Sequence, residues 1–549
     1  MKKQVLKVNE KDNVLVALQD LEKGTEIVYN NEKVILQENI GAKHKIFVHD
    51  MQPGAEIIMY GVLVGKAQEF IPAGGLMTTG NTKHAADPFY FRPSHYEWKA
   101  PDVSRFEGRT FNGYHRSNGE VGTANYWLFV PTVFCENRNL DVIKEAMHNE
   151  LGYAVADKYK RYTHELLQAL EQGEELSNVD FSAITKPVSP AANRVFKNVD
   201  GIKFLNHQGG CGGTRQDAAV LGKLLASYAA HPNVGGVTVL SLGCQNLQVQ
   251  DFLEYLKTLH PSFDKPLFVF EQQQSQSEEQ LVAEAIKKTF EGLVEINKIE
   301  RKPAPLDKLT IGVKCGGSDG FSGISANPAV GYCSDLVVGL GGKILLAEFP
   351  ELCGAEQDLI DRTIDESAAK KFIELMTNYN AAAMNVGSGF HMNPSPGNIK
   401  DGLITDAIKS AGAAKKGGSA PVVDVLDYTE KATKPGLSLV CTPGNDVEAT
   451  TGKAASGATL ILFTTGLGTP TGNPVCPTIK VATNSKLAKR MADIIDINCG
   501  PIVEGEKTIE QMGEEILEYC IKAASGEEIP KAVQLNQDDF IPWKRGVSL

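Results

Sequence analysis

Residues 308–356 constrain the fold more than any other stretch, because they read as strand, glycine loop, helix, strand and acidic loop in direct succession. Leu309 to Val313 is a short apolar run that opens into Lys314, Cys315, Gly316, Gly317, Ser318, Asp319 and Gly320. Glycines there free the backbone, while Lys, Cys, Ser and Asp bring chemistry. Lys343 to Ala347 is a second apolar run, and it ends in an acidic loop holding Glu348, Glu351, Cys353 and Glu356. Two strands that carry functional groups at the same end predict a parallel sheet, and the carboxyl edge of such a sheet is where ligands bind.

The rhythm recurs on both sides of this stretch. Apolar runs at 237–242 and 267–270 end in Gly243 to Asn246 and in Glu271 and Gln272, and Ser277 to Gln280 has capping-box spacing ahead of a helix through Leu281, Ala285 and Ile286. Residues 387–398 are too rich in glycine and proline for regular structure, and the runs at 422–426, 458–463 and 479–482 that follow again end in small polar residues. A second α/β half is therefore expected. From Val5 to Ile71, in contrast, short apolar runs are broken by turn residues, which reads as a β-rich module with His44, His49 and His84 as its polar points. Residues 82–102, with Pro88, Pro93 and Pro101 and little periodicity, read as the connector.

Composition narrows the class. A formal net charge of -12 argues against non-specific binding to nucleic acid and against docking on anionic membranes. Ten cysteines in 549 residues, with no CxxC pair, suggest neither a disulfide scaffold nor a structural zinc site. The first residues lack an apolar signal core and no apolar stretch reaches membrane-spanning length, so a cytoplasmic location is expected.

Two further loops have a composition that suits anions. Residues 106–125 combine glycines with Arg109 and Arg116, whose planar guanidinium groups suit a carboxylate, although pairing with surface acids is the equal alternative. Residues 206–217 hold His207, Cys211 and Arg215 and lead into a helix with Leu221, Leu224, Leu225 and Tyr228 on one face. No GxxxxGK[ST] is present, so the loop is read as a carboxylate site at a helix start rather than as a nucleotide site.

Taken in order, the segments 207–217, 231–246, 315–331, 348–356, 393–405, 415–428, 442–452, 463–484 and 496–500 closely resemble the altronate dehydratase family, which includes galactarate dehydratase. The resemblance covers essentially the whole chain, and its β-rich amino-terminal part looks like the SAF domain of those enzymes. It implies an α/β protein: a small SAF-like domain at 1–100, then two α/β halves with mainly parallel sheets at 101–385 and 386–549. It also implies loss of water from a sugar acid to give a 2-keto-3-deoxy acid, most nearly D-altronate to 2-dehydro-3-deoxy-D-gluconate in hexuronate catabolism, with iron(II) or manganese as the divalent metal. One departure is visible: where the family carries a histidine-rich stretch after Gly74, this chain has residues 75–81 without histidine and only His84 nearby.

Such a dehydration takes a weakly acidic proton next to a carboxylate and expels the neighbouring hydroxyl, so it needs a base, an acid and cationic groups to hold developing charge. His207, Asp319, Glu348, Glu351 and Glu356 are the acid, base or ligand candidates. Arg116, Arg215 and Lys314 are expected to clamp the substrate, with Ser318 and Asn398 beside them. Metal-ligand candidates are His44 and His84 on the SAF-like module and Cys211, Cys244 and Cys315, softer ligands that suit iron(II) or zinc. The expected partner is a small sugar acid, with no nucleic acid and no membrane, and homo-oligomerisation left open. Galactarate dehydratase, a lyase like sulfolactate sulfo-lyase, and a non-catalytic carbohydrate-binding protein are the alternatives.

Overall fold

Runs of two to six apolar residues divided by glycine turns build many short strands, and this is what the amino-terminal module does in the computed structural model, which describes residues 3–29, 32–154, 158–185, 194–546 and 548. Strands Val5–Leu6, Val14–Ala17 and Lys45–Phe47 pair antiparallel, as do Glu26–Tyr29 with Glu32–Ile35 and Glu56–Met59 with Val62–Ala67 and Thr82–His84. Successive strand residues point to opposite faces. Leu15 and Ile46 accordingly enter a core private to the module, whereas Val14, Val16 and Phe47 pack on Phe321, Ile324, Leu403 and Ile408 of the carboxy-terminal domain. The module is thereby seated beside the glycine loop that follows residue 315.

Because Thr82–His84 is a strand of the module, the connector begins later than the sequence suggests, after His84. Residues 85–109 contain no helix or strand. They are pinned along the carboxy-terminal domain, for instance by Arg92 Nε to Asp361 Oδ1 at 2.9 Å and Trp98 Nε1 to Ser419 Oγ at 3.2 Å.

The middle domain holds a four-stranded parallel sheet in the order Gly201–Phe204, Tyr126–Pro131, Val234–Ser241, Leu267–Glu271. Helices Asn137–Leu151, Arg215–Ala229, Val249–Leu259 and Glu278–Ile296 accompany it. The carboxy-terminal domain holds a seven-stranded parallel sheet in the order Val422–Leu426, Gly436–Val440, Lys343–Leu346, Thr310–Cys315, Leu460–Thr465, Thr478–Ala482, Ile497–Asn498. Every residue of Thr310–Cys315 and of Leu460–Thr465 is buried, as expected for parallel strands covered on both faces. The α/β architecture with mainly parallel sheets stands as read from sequence.

A boundary at 385/386 does not match this sheet, since Thr310–Cys315 and Lys343–Leu346 lie before it and their hydrogen-bonded neighbours after it. The glycine- and proline-rich stretch after Asn385 is an internal connection, and the change of domain falls near the antiparallel strand Lys302–Pro305, which pairs with Thr110–His115. One core cluster joins the two α/β domains, running from Leu128, Leu224 and Tyr228 to Leu345, Ile461 and Phe463. Among the described residues, no helix is long and apolar enough to cross a membrane.

Candidate active site

The chain leaves Thr310–Cys315 to build Lys343–Leu346 on one side and returns to Leu460–Thr465 on the other, so the switch point of the sheet lies at the strand carrying Lys314 and Cys315. Loops diverge there and leave room for functional groups. Lys314 is fully buried; its Nζ pairs with Glu348 Oε1, lies 2.9 Å from Asp446 Oδ1 and donates to Gly444 O at 3.2 Å. Glu348 also faces Lys416 at 3.4 Å and Lys453 at 3.8 Å through Oε2. Glu351 pairs with Lys409 at 2.9 Å and accepts from Cys315 Sγ at 3.6 Å, while Lys416 donates to that sulfur at 2.8 Å. Gly312 makes the space: a Cβ there would stand 3.1 Å from Lys453 Cδ.

Glu348 has φ +73°, a left-handed conformation that a residue with a Cβ seldom adopts. Strain of this kind, about 1–3 kcal/mol, persists where surrounding contacts fix it and gathers at functional sites. Here Thr442 Oγ1 accepts from the Glu348 backbone at 3.0 Å, and the lysines hold its carboxylate.

The electrostatics follow from burial opposed by pairing. Burial by itself would protonate Glu348, but Lys314, Lys416 and Lys453 outweigh it and hold the carboxyl far below the usual carboxylate range. Burial would likewise discharge Lys314, and Glu348, Asp446 and Glu351 instead raise it well above the ordinary lysine value. Lys453 differs: its Nζ has no hydrogen-bond partner among the described residues, and burial, with Lys314 and Lys416 opposing its charge, brings it down to about 7. Next to this cluster, burial pushes Glu356 up to about 7 and Asp406 up to about 8, with Cys353 between them.

The structure sorts the sequence candidates into groups. Lys314, Cys315, Glu348 and Glu351 come together. Asp319 stands at the same end of the sheet but binds Lys43 of the amino-terminal module at 3.1 Å and Thr483 at 3.1 Å, so Asp319 and Glu348 do not share partners. Asn398 caps its own short helix and donates to Ser318 O at 2.9 Å, which makes it a brace of the 315–320 loop.

Two expectations are corrected. His207 uses both ring nitrogens on backbone, Nε2 with Pro131 O at 2.8 Å and Nδ1 with Gly209 N at 3.0 Å, and burial lowers it to about 4, so it is a loop brace and not a base. Arg116 is half-buried and donates to Pro232 O at 2.8 Å and Asn125 Oδ1 at 3.1 Å; it ties the chain together instead of clamping a ligand. The metal-ligand candidates, offered as alternatives, lie apart: Cys315 is with Glu348 and Glu351, His44 binds the backbone of Lys400, His84 sits on the strand Thr82–His84, and Cys211 and Cys244 are exposed on the middle domain. Arg215 is the exposed first residue of its helix, next to a cavity of about 640 Å³ lined by Gly209, Thr214, Glu448 and Trp543.

Sequence reasoning missed Lys409, Lys416, Lys453, Asp446 and Asp406. The signal was lysine set among small residues, as in Ala449 to Ala455 around Lys453, where a solvated surface helix would alternate charges instead.

Buried lysines and carboxylates gathered at a switch point, with two raised carboxyl groups next to them, are groups able to hold and move protons in a dry interior, as enzyme sites do. Comparison with known proteins places the chain among dehydratases. Residues 3–85 match the altronate/galactarate dehydratase SAF domain, 113–297 the second domain of D-galactarate dehydratase/altronate hydrolase, and 306–548 the D-galactarate/altronate dehydratase carboxy-terminal domain. It is 33% identical to an altronate dehydratase of Escherichia coli (strain K12) over 532 residues, 96% of each chain. It is also 33% identical to one of Bacillus subtilis (strain 168) over 551 residues, 100% of each chain. Identity to galactarate dehydratase (L-threo-forming) of Escherichia coli (strain K12) is 32% over 529 residues, 95% of this chain and 92% of that one. The chain belongs to the altronate/galactarate dehydratase family.

Proposed function

We propose that this chain is a hydro-lyase that dehydrates a sugar acid, D-altronate in the first instance, to 2-dehydro-3-deoxy-D-gluconate and water. The observation that carries the reading is the relation, along the whole chain, to two altronate dehydratases. The buried lysine–carboxylate cluster supports it independently. Charge that develops next to a carboxylate is stabilised by ammonium groups already fixed in a dry interior, which need no reorganisation as the proton leaves. Lys314 and Lys416 are such groups. Lys453, brought to about 7, is the one poised to accept a proton near neutrality. Glu356 and Asp406, at about 7 and about 8, are carboxylic acids that still hold protons there and can hand one to the departing hydroxyl.

The reading includes a divalent metal, iron(II) or manganese. Cys315, Glu348 and Glu351 offer three ligand atoms within 4.8 Å of one another. Lys314, Lys409 and Lys416 already pair with those groups, however, and a divalent cation among ammonium groups at such distances is repelled. This set does not fit the ion while those pairs stand, and no proton transfer above is routed through a metal. A cytoplasmic location belongs to the same reading, as does the absence of nucleic-acid or membrane partners, which the net charge of -12 supports. Light scattering on the purified protein decides whether it forms a homo-oligomer.

The test is direct. Purified protein given altronate or galactarate, with iron(II) or manganese under reducing conditions, should form a 2-keto-3-deoxy acid from altronate faster than from galactarate. No keto-acid from either substrate would overturn the assignment. Chelation should abolish turnover and added metal restore it; full activity in protein stripped of all metal would remove the metal from the reading.

A further inference from the structure

Three neighbouring parallel strands of the middle domain, Gly201–Phe204, Tyr126–Pro131 and Val234–Ser241, each run into a loop that carries one cysteine: Cys211, Cys135 and Cys244 respectively. These three are the exposed thiols of the chain; Cys353 is half-buried and the other six are buried. Exposed cysteine is uncommon on a protein surface. To find all three on consecutive loops at one edge of one sheet calls for an explanation.

The loops are fastened to one another. Phe134 N donates to Gly209 O at 3.0 Å, Asn137 Nδ2 to His207 O at 2.8 Å, Asn246 N to Gly210 O at 3.0 Å and Asn246 Nδ2 to Gly213 O at 3.0 Å. Gly210, at φ +104°, lets the second loop lie flat on the first: a Cβ there would be 2.5 Å from Thr132 O. His207, which failed as a base, holds the Cys211 loop against the end of the strand at Pro131.

We propose that Cys135, Cys211 and Cys244 are the protein ligands of a [4Fe–4S] cluster with one iron left free of protein. A single metal ion is the wrong size. Metal–sulfur bonds of about 2.3 Å in a tetrahedron place the sulfurs about 3.8 Å apart. Among the described residues, the one set of three or more Cys, His, Asp or Glu donors that lie within 4.8 Å of one another is Cys315, Glu348 and Glu351, so at least one pair among the three thiols stands farther apart than that. A cluster body fills such a gap, and thiolates are its usual ligands. Room also exists: Cys211, Gly209, Gly210 and Gly213 line the cavity of about 640 Å³ whose far wall is Glu448 and the carboxy-terminal Phe540 and Trp543. Glu448 follows Asp446, the partner of Lys314, by two residues on one helix, so the cavity opens between the thiol loops and the lysine–carboxylate domain. The free iron would act as a Lewis acid on oxygens of a hydroxy acid; that last step rests on the dehydratase reading, while the cluster site does not.

Anaerobic reconstitution of the full chain with ferric iron, sulfide and a thiol reductant that supplies the ferrous half of the core tests the site. Iron and sulfide near four each per chain, broad visible absorption and an electron-paramagnetic signal on reduction are expected, with protection of the three thiols from alkylation read by mass spectrometry. Cys135→Ser, Cys211→Ser and Cys244→Ser should each lose most of the absorption, and Cys441→Ser should keep it. If a serine variant fails to fold, the alkylation pattern of the unmutated chain decides by itself. One iron without sulfide, or a chromophore that survives all three substitutions, overturns the cluster. Turnover of altronate without any cluster overturns the Lewis-acid step alone and leaves the cluster site and the proposed function standing; a cluster without turnover of any sugar acid supports the site and overturns the proposed function.

Discussion

Both parallel sheets place chemistry on their carboxyl edge, and they do so in opposite ways. On the seven-stranded sheet, Lys314, Glu348, Lys416 and Lys453 are between 0% and 1% exposed, and each ionised group answers another. On the four-stranded sheet, three thiols and an arginine are exposed, and one of them, Cys211, lines a cavity. The difference is one of assembly. Fixed charges act most strongly when the chain itself has dried and aligned them during folding, whereas a group that is loaded after folding needs an open way in. One edge is finished by the fold, and the other is left for a ligand to finish.

The largest effect should come from unbalancing the closed edge. Removing one partner of a buried ion pair leaves the other charge without compensation, a loss of about 3–5 kcal/mol. Lys314→Met should therefore lower the denaturation midpoint sharply, or abolish soluble expression, while Cys211→Ser on the open edge melts like the unmutated chain. Equal midpoints for Lys314→Met and the unmutated protein would show that the lysine cluster is not the ion-paired core described above.

The second effect is read from pH. Asp406 is raised to about 8 and Glu356 to about 7, chiefly by burial, so the folded chain binds protons that the unfolded chain has released above the ordinary carboxylate range. Their stabilising contribution is complete below about pH 4 and is lost as pH climbs through 7 to 8. Glu348, held low by its lysines after burial has opposed it, behaves inversely: its contribution is present above the ordinary carboxylate range and lost on acidification. Asp406→Asn should flatten the fall in melting temperature between about pH 5 and 8, a change of a few kcal/mol at most. An unchanged slope would mean that Asp406 ionises normally.

The two edges were also unequally legible in the sequence. Period-two and continuous apolar runs ending in glycine and small polar residues point to parallel strands and to which end of them is functional, because both are local properties of a strand and its loop. Lys314, Cys315, Glu348 and Glu351 were found in that way. Their partners were not: Lys416 and Lys453 reach Glu348 from 68 and 105 positions further along, and only the folded sheet brings them into range. His207 and Asn398 misled for the opposite reason, since polar residues beside glycine loops serve backbone groups as readily as ligands. The boundary near residue 385 failed because a glycine- and proline-rich connection looks the same within a domain as between two. Cys135 passed unnoticed, as a lone cysteine in an ordinary loop becomes meaningful only when two others stand next to it.

The smallest effect decides which edge receives the substrate carboxylate. Arg215 is exposed at the start of Arg215–Ala229, beside Thr214, which caps that helix and lines the cavity. Its fork and the helix start both favour an anion. Lys409 is the competing clamp on the closed edge, but it is already held by Glu351 at 2.9 Å and by Asn393 Oδ1 at 3.0 Å. A group with two partners offers less to a ligand than an exposed one whose neighbour Thr214 lines a cavity, so the open edge should hold the carboxylate. Arg215→Lys keeps the charge and loses the planar fork; it should melt normally and lose about tenfold in kcat/KM, equivalent to about 1.4 kcal/mol, mostly through KM. Lys409→Arg, in the same assay, should act mainly on kcat. If Arg215→Lys turns over altronate at the unmutated rate while Lys409→Arg raises KM, the carboxylate lies on the closed edge, and the cavity serves some other part of the substrate.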